Sequence, residues 1–234
     1  MKKLLLSVGW LLLAAIDGQA QHPGAPPHGE KSTPTHDYPI QPVAFTQVHL
    51  TDNFWEPKIE VNATVTIPYV LQKCRETGRI DNFLRAAKKL PGDKLTDFPF
   101  DDTDIYKLIE GASYGLQVKK NPVLERQLDT LVGIIAAAQE PDGYLYTFRT
   151  VQAVKPHEWI GARRWEKEEE LSHELYDAGH LYESAVAHYQ ATGKKTLLNV
   201  AIKNANLLVK DFGYGKIEEY PGHQIVEKIG RAHV

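Results

Sequence analysis

The chain has 234 residues, 42% of them hydrophobic and 24% charged, with a formal net charge of −3. These values belong to a soluble globular protein of one or two domains. The near-neutral charge, with no cluster of lysines and arginines, argues against a nucleic-acid partner. A single cysteine, Cys74, excludes an intrachain disulfide framework and any multi-thiolate zinc site within these residues.

Lys2 and Lys3 precede an apolar run from Leu4 to Ile16, and Gly18, Gln19 and Ala20 then offer a small-x-small cleavage site. This is the pattern of an export signal over residues 1–20. The run is too short for an ordinary membrane span, so no span is expected after cleavage. The mature protein is expected in the periplasm or outside the cell. Residues 21–42 are rich in Pro, Gly and His without periodicity, and read as a flexible linker.

Phe45 to Leu50 alternates weakly, as a short strand would. Helical signals follow. Pro68 should open or kink a helix carrying Val70, Leu71 and Cys74. Ile105, Leu108, Ile109, Ala112 and Leu116 form a stripe behind Asp102 or Thr103 as N-cap. Leu124, Leu128, Leu131, Ile135 and Ala138 form the next, started by Asn121 as cap and Pro122 as first helical residue. A longer polar and aromatic segment, Pro141 to Trp165, separates these from a helix over Ser172–Gln190. Thr192 and Gly193 end that helix, and Leu197, Leu198, Ala201, Ala205 and Leu208 mark one more, closed by Gly213 and Gly215. A succession of helical hairpins predicts an all-α protein, part of an α/α toroid or solenoid.

The Ser172–Gln190 helix holds the most chemistry. His173, Asp177, His180 and Ser184 fall at steps of four, three and four, which makes one polar stripe. Leu175, Ala178, Tyr182, Ala185 and Tyr189 lie on another face. Such a helix fits one that lines a polar cavity. His173-Glu174 begins like a zinc-protease motif, but the next histidine lies seven residues on rather than four. His180 and Glu183 have di-iron spacing without a second such pair. Asp101, Asp102 and Asp104 cluster where capping and dipole complementarity explain them adequately, and a contact to a substrate hydroxyl is the minority reading. Asp142-Gly143 is first a turn signal. Tyr144, Tyr146, Trp159 and Trp165 suit stacking against sugar rings, with core packing equally in view. Glu166 to Glu170 reads as a solvated helix start. His223 follows a glycine turn, where loop residues often carry function.

The segments FTQVHLTDNFW, CRETGRIDNF, FDDTDIYKLIEGASYGL, AAAQEPDGYLYT, SHELYDAGHLYESAVAHYQATGKKTLL and PGHQ occur in order. Over about Pro42 to Glu227 they resemble glycoside hydrolase family 127, the β-L-arabinofuranosidase family. The resemblance implies an (α/α)6 barrel, here incomplete and covering residues 43–227. It implies release of terminal β-L-arabinofuranose or a related sugar, with retention, from a plant-derived oligosaccharide or glycoconjugate. It also implies a zinc-bound cysteine nucleophile and a glutamate acid/base, expected downstream of this chain, so that the fragment alone has no catalytic or metal-ligating residue. Cys74 does not correspond to that nucleophile. By the same resemblance His173 and His223 match two histidines that hydrogen-bond the sugar; Asn82 and Phe83 lie in a sugar-contacting stretch, and Asp104 and Tyr144 are further candidates. Phe83 stands where a polar residue occurs in one type of member, which leaves ring specificity open. Two alternatives stand beside this reading: the same family acting on an acidic or branched sugar, and a non-catalytic sugar-binding protein.

The last residues, 228–234, end in IGRAHV, which resembles a translated sequencing adapter. They are expected to be a non-native tail on a truncated gene, with a short paralogue as the alternative.

Overall fold

The structure, a computed structural model, describes residues 43–152 and 157–227. The export signal, the linker and the tail expected from the sequence lie outside them. The elements are α1 (Trp55–Val61), a π-helical turn (Asn62–Thr66), α2 (Ile67–Glu76), α3 (Arg79–Ala86), α4 (Asp102–Val118), α5 (Pro122–Ala138), α6 (Thr147–Val151), α7 (Glu174–Thr192) and α8 (Thr196–Asp211). No strand occurs among the described residues, and no helix there is long and apolar enough to cross a membrane.

Local chemistry accounts for most boundaries. Asn121 Oδ1 accepts from the N–H groups of Val123 and Leu124, both at 3.1 Å, and Pro122 opens α5 where its missing N–H costs nothing. Gly193 takes the left-handed conformation that ends α7. Pro68 has no N–H to give the ladder, and the π turn just before it widens the helix, so the chain runs on helically from Trp55 to Glu76. Two expectations fail. Phe45–Gln47 is a 3₁₀ turn rather than a strand; no neighbouring strand is there to pair with it, and Phe45 packs edge-on against Tyr114 at 4.9 Å. The N-cap of α4 is Asp101, not Asp102 or Thr103, and it makes no side-chain cap bond.

α4 and α7 lie side by side and run in the same direction. Lys107 near the start of α4 reaches Tyr176 in the first turns of α7, and Gln117 near its end reaches the Ala191 carbonyl at 2.7 Å. α8 packs on α7 and on α5, while α1 and α2 pack on α4. The core between them is built from Ile105, Ile109, Leu128, Ile135, Leu181, Leu197 and Ala201, all buried. Each such Leu or Ile contributes about 1.5–3 kcal/mol by leaving water. Polar ties cross the same space: the Tyr182 hydroxyl donates to Asn204 Oδ1 at 2.7 Å, and Asn204 Nδ2 donates to the Gly143 carbonyl at 3.0 Å. The helical hairpins make up part of an (α/α)6-type toroid. Because α4 and α7 are parallel, their N-terminal ends and the loops before them meet at one end of the molecule.

Candidate functional site

That end carries the two histidines. His173 precedes the first residue of α7 with φ 60° and ψ 25°, a left-handed conformation that costs a branched or bulky residue about 1 kcal/mol. Its side chain does not cap the helix. The cap comes instead from Glu168, whose Oε2 accepts from the Leu175 N–H and whose Oε1 accepts from Ser172 Oγ, both at 3.1 Å. Glu168 is 1% exposed. The run Glu166–Glu170 is therefore not simply a solvated helix start, because the orphan N–H groups of α7 draw one of its acids inward. His173 is thereby free to turn its imidazole elsewhere.

The same Glu168 also places His223. Its backbone carbonyl accepts from the Gly222 N–H at 2.8 Å. A Cβ at Gly222 would lie 2.8 Å from the Glu169 carbonyl oxygen, and one at Gly179 would lie 2.7 Å from Ile225 C and Val226 N. Only glycine lets the segment 222–226 lie this close to α7. The result brings the His173 and His223 rings to 6.0 Å between centroids at 79°. Tyr176 touches both, at 5.6 Å from His173 and 4.7 Å from His223, and also meets His180 at 4.6 Å. Lys107 Nζ bonds the Tyr176 hydroxyl at 2.8 Å and lies over its ring.

Burial, with the nearby His223 second, lowers the His173 pKa below the usual histidine value. The imidazole is thus neutral near pH 7, and its Nδ1 is buried without a hydrogen-bond partner among the described residues. A neutral imidazole with a free nitrogen can donate to, or accept from, a hydroxyl. His173 is half-buried and His223 exposed, with their rings 6.0 Å apart.

Beneath them lies a set of buried acids that the sequence does not reveal. Asp102 accepts from the Thr147 N–H at 2.8 Å and from Thr147 Oγ1 at 2.7 Å, so it ties α4 to the first residue of α6 instead of capping its own helix. Glu174 accepts from the Tyr144 hydroxyl at 2.5 Å and the Trp165 N–H at 3.1 Å. Asp177 is fully buried, with neither carboxyl oxygen hydrogen-bonded among the described residues. Burial raises Asp102 and Glu168 to about 7 and Glu174 to about 8, and pushes Asp177 well above the carboxylate range.

The remaining candidates are held by other partners. Asn82 is buried, with its amide exchanging bonds with Thr96 at 2.8 and 3.3 Å. Phe83 packs edge-on against Tyr106 in the core at 5.7 Å. Tyr144 is buried against Glu174, with the Arg164 guanidinium 3.9 Å from its ring centre. Asp104 is paired with Arg79 on a cleft of about 590 Å³ between α2 and α4, which also includes Cys74 and Lys107. Lys107 links that cleft to Tyr176 and so to the histidines.

A family model described as "Beta-L-arabinofuranosidase, GH127 catalytic domain" matches residues 47–230. The chain belongs to glycoside hydrolase family 127. Over 137 residues it is 39% identical to the non-reducing end β-L-arabinofuranosidase of Bifidobacterium longum subsp. longum, covering 58% of this chain and 20% of that protein. A solved family 127 β-arabinofuranosidase is 51% identical, with a TM-score of 0.77 over 82% of this chain and 31% of its own. A family 127 β-L-arabinofuranosidase from Geobacillus stearothermophilus T6 is 34% identical, with a TM-score of 0.72 over 79% of this chain and 29% of its own. The family 127 chain thus spans about a fifth of the curated relative and under a third of these two solved structures.

Zinc, which the resemblance implies for the whole protein, does not fit the residues described here. No three His, Cys, Asp or Glu among them are grouped so as to hold a metal ion. Cys74 is a buried thiol raised to about 11, first by burial and then by Asp104. At neutral pH it stays protonated, which suits neither a ligand nor a nucleophile.

Proposed function

We propose that this chain supplies the sugar-holding part of an exported glycosidase that removes terminal β-L-arabinofuranose-type residues from plant-derived glycans with retention. The observation that carries the reading is the meeting of His173 and His223, from segments fifty residues apart in the chain, at 6.0 Å. The name of the curated relative, a non-reducing end β-L-arabinofuranosidase, supports the choice of sugar. In this reading the neutral His173 imidazole and the exposed His223 hydrogen-bond hydroxyls of the terminal ring, and Tyr176, braced by Lys107, forms the wall between them. Each such bond contributes about 1 kcal/mol net, and removing its imidazole, which strands a sugar hydroxyl in a partly dry site, costs about 1–3 kcal/mol. The reacting groups, a zinc-held cysteine thiolate and a glutamate, come from residues other than those described, and Cys74 takes no part.

Sequencing the gene past codon 227 and assaying the completed product on methyl β-L- and α-L-arabinofuranosides tests this. A downstream cysteine cluster and release from the β anomer alone are expected. An authentic stop at that point, or a completed enzyme that cleaves only an acidic or branched sugar, contradicts it.

A further inference from the structure

Tyr176 is more than a flat face between the histidines, because its hydroxyl is held in one sense. Lys107 Nζ lies 2.8 Å from that hydroxyl and 3.3 Å from Thr103 Oγ1. An ammonium has three hydrogens and no lone pair, so in both bonds the lysine donates and the hydroxyl oxygen accepts. Thr103 gives its own hydrogen to the Phe100 carbonyl at 2.9 Å. The Tyr176 hydrogen has no such outlet, since no acceptor among the described residues takes it. The lysine charge also stays on this hydroxyl. Asp104, in the same cleft, is paired with Arg79, and Asp177, on which the Lys107 charge acts, is kept protonated near pH 7 by burial. Lys107 is exposed and lines the cleft of about 590 Å³ between α2 and α4, while Tyr176 is half-buried. The Tyr176 ring meets His223 at 4.7 Å and His173 at 5.6 Å. A donor without an internal acceptor therefore stands beside the cleft, on a ring that touches both histidines.

We propose that the Tyr176 hydroxyl is a third hydrogen-bonding group for the terminal sugar, and that Lys107 is the positioning residue that fixes it as a donor. The inference rests on the reading of His173 and His223 as the terminal-sugar position. A phenol left to itself rotates, and either donates or accepts. Here the ammonium occupies a lone pair of the oxygen, so the hydrogen turns away from Lys107. The cation polarises the phenol and strengthens the bond that hydrogen makes. What it needs is an oxygen with a lone pair to offer. A sugar hydroxyl meets that need, since its oxygen accepts from Tyr176 while its own hydrogen goes to a neutral imidazole. The specificity this adds is for a hydroxyl over a hydrogen at the same carbon, because the analogue lacking it leaves a protein donor unpaired.

Ligand-detected NMR titration of the full chain with methyl β-L-arabinofuranoside and its three monodeoxy analogues tests the proposal. Tyr176→Phe keeps the ring and its contacts, and is expected to bind the parent glycoside about tenfold more weakly. At one monodeoxy analogue the variant and the wild type are expected to bind alike, because the oxygen served by Tyr176 is gone. At the other two the tenfold gap remains. Lys107→Met is expected to lose about fivefold, Lys107→Arg to recover it, and the double variant with Tyr176→Phe to bind no more weakly than Tyr176→Phe alone. Circular dichroism melts verify folding, and the exposed Lys107 keeps the proposal testable if Tyr176→Phe proves unstable. Unchanged affinity in Tyr176→Phe, or a gap that persists at all three analogues, overturns the donor role and leaves the histidine position intact. Additive losses in the double variant overturn the role of Lys107. A wild-type chain that binds none of the four glycosides overturns the terminal-sugar position, and this proposal with it.

Discussion

The two ends of α7 each carry a buried or half-buried histidine whose pKa is lowered first by burial, yet their surroundings differ. His173 stands before the first turn in a left-handed conformation, in ring contact with Phe100, Tyr176 and His223, and beside open surface. His188 lies in regular helix, 1% exposed, with neither ring nitrogen hydrogen-bonded among the described residues; nearby Asp129, Lys194 and Glu125 tune it. The difference teaches that a shifted histidine is not by itself a site. What separates the pair is backbone strain, a second imidazole and access, and at that end alone Glu168 caps α7 and holds Gly222 beside it.

Substitutions at the two ends sharpen this contrast. The largest expected effect is on binding: His173→Ala or His223→Ala lowers affinity for methyl β-L-arabinofuranoside about a hundredfold, an effect of about 2.7 kcal/mol, as measured by calorimetric titration. Glu168→Ala comes next. It removes the cap of α7 at a cost of about 2 kcal/mol, which is read as a lower melting temperature, and it weakens sugar binding because both histidines depend on this residue. His188→Leu works in the other direction: relieving two unsatisfied buried nitrogens raises stability by about 1 kcal/mol, and sugar affinity stays at the wild-type value. A smaller difference separates His173→Gly from His173→Ala. Both lose the imidazole, but glycine accepts φ 60° freely and melts higher by the equivalent of about 1 kcal/mol.

The acids beneath the histidines set a pH dependence. Asp102, Glu168 and Glu174 have folded pKa values above their unfolded ones, so the native state holds more protons between about pH 4 and 8. Their contribution to stability is complete below the unfolded values and is lost as pH rises through about 7 to 8. Urea unfolding across this range is expected to show declining stability, with a shallower decline in Glu174→Gln.

Where structure follows from a few adjacent residues, the sequence is readable. Asn121-Pro122 starts α5 and Gly193 ends α7 because capping is local chemistry. The stripe on α7 is equally plain, although its polar side proves as buried as its apolar one at Asp177 and Ser184. Asp102 is less legible because its partner, Thr147, lies 45 residues away. Glu168 is hidden among four other charged residues between Glu166 and Glu170, and nothing in that run marks which acid turns inward. The pairing of His173 with His223 comes from family resemblance, since no periodicity connects positions on a helix and a distant turn. Tyr176 carries no signal as a hydrogen-bond donor, because its partner Lys107 lies 69 residues away.

Imidazole ¹⁵N–¹H correlation spectra of the chain, recorded during titration with methyl β-L-arabinofuranoside, test the central claim most directly. The account predicts that the His173 and His223 signals move together and saturate at one affinity while His188 stays fixed. Movement of His188, or sugar binding that leaves His173 and His223 unmoved, would contradict it.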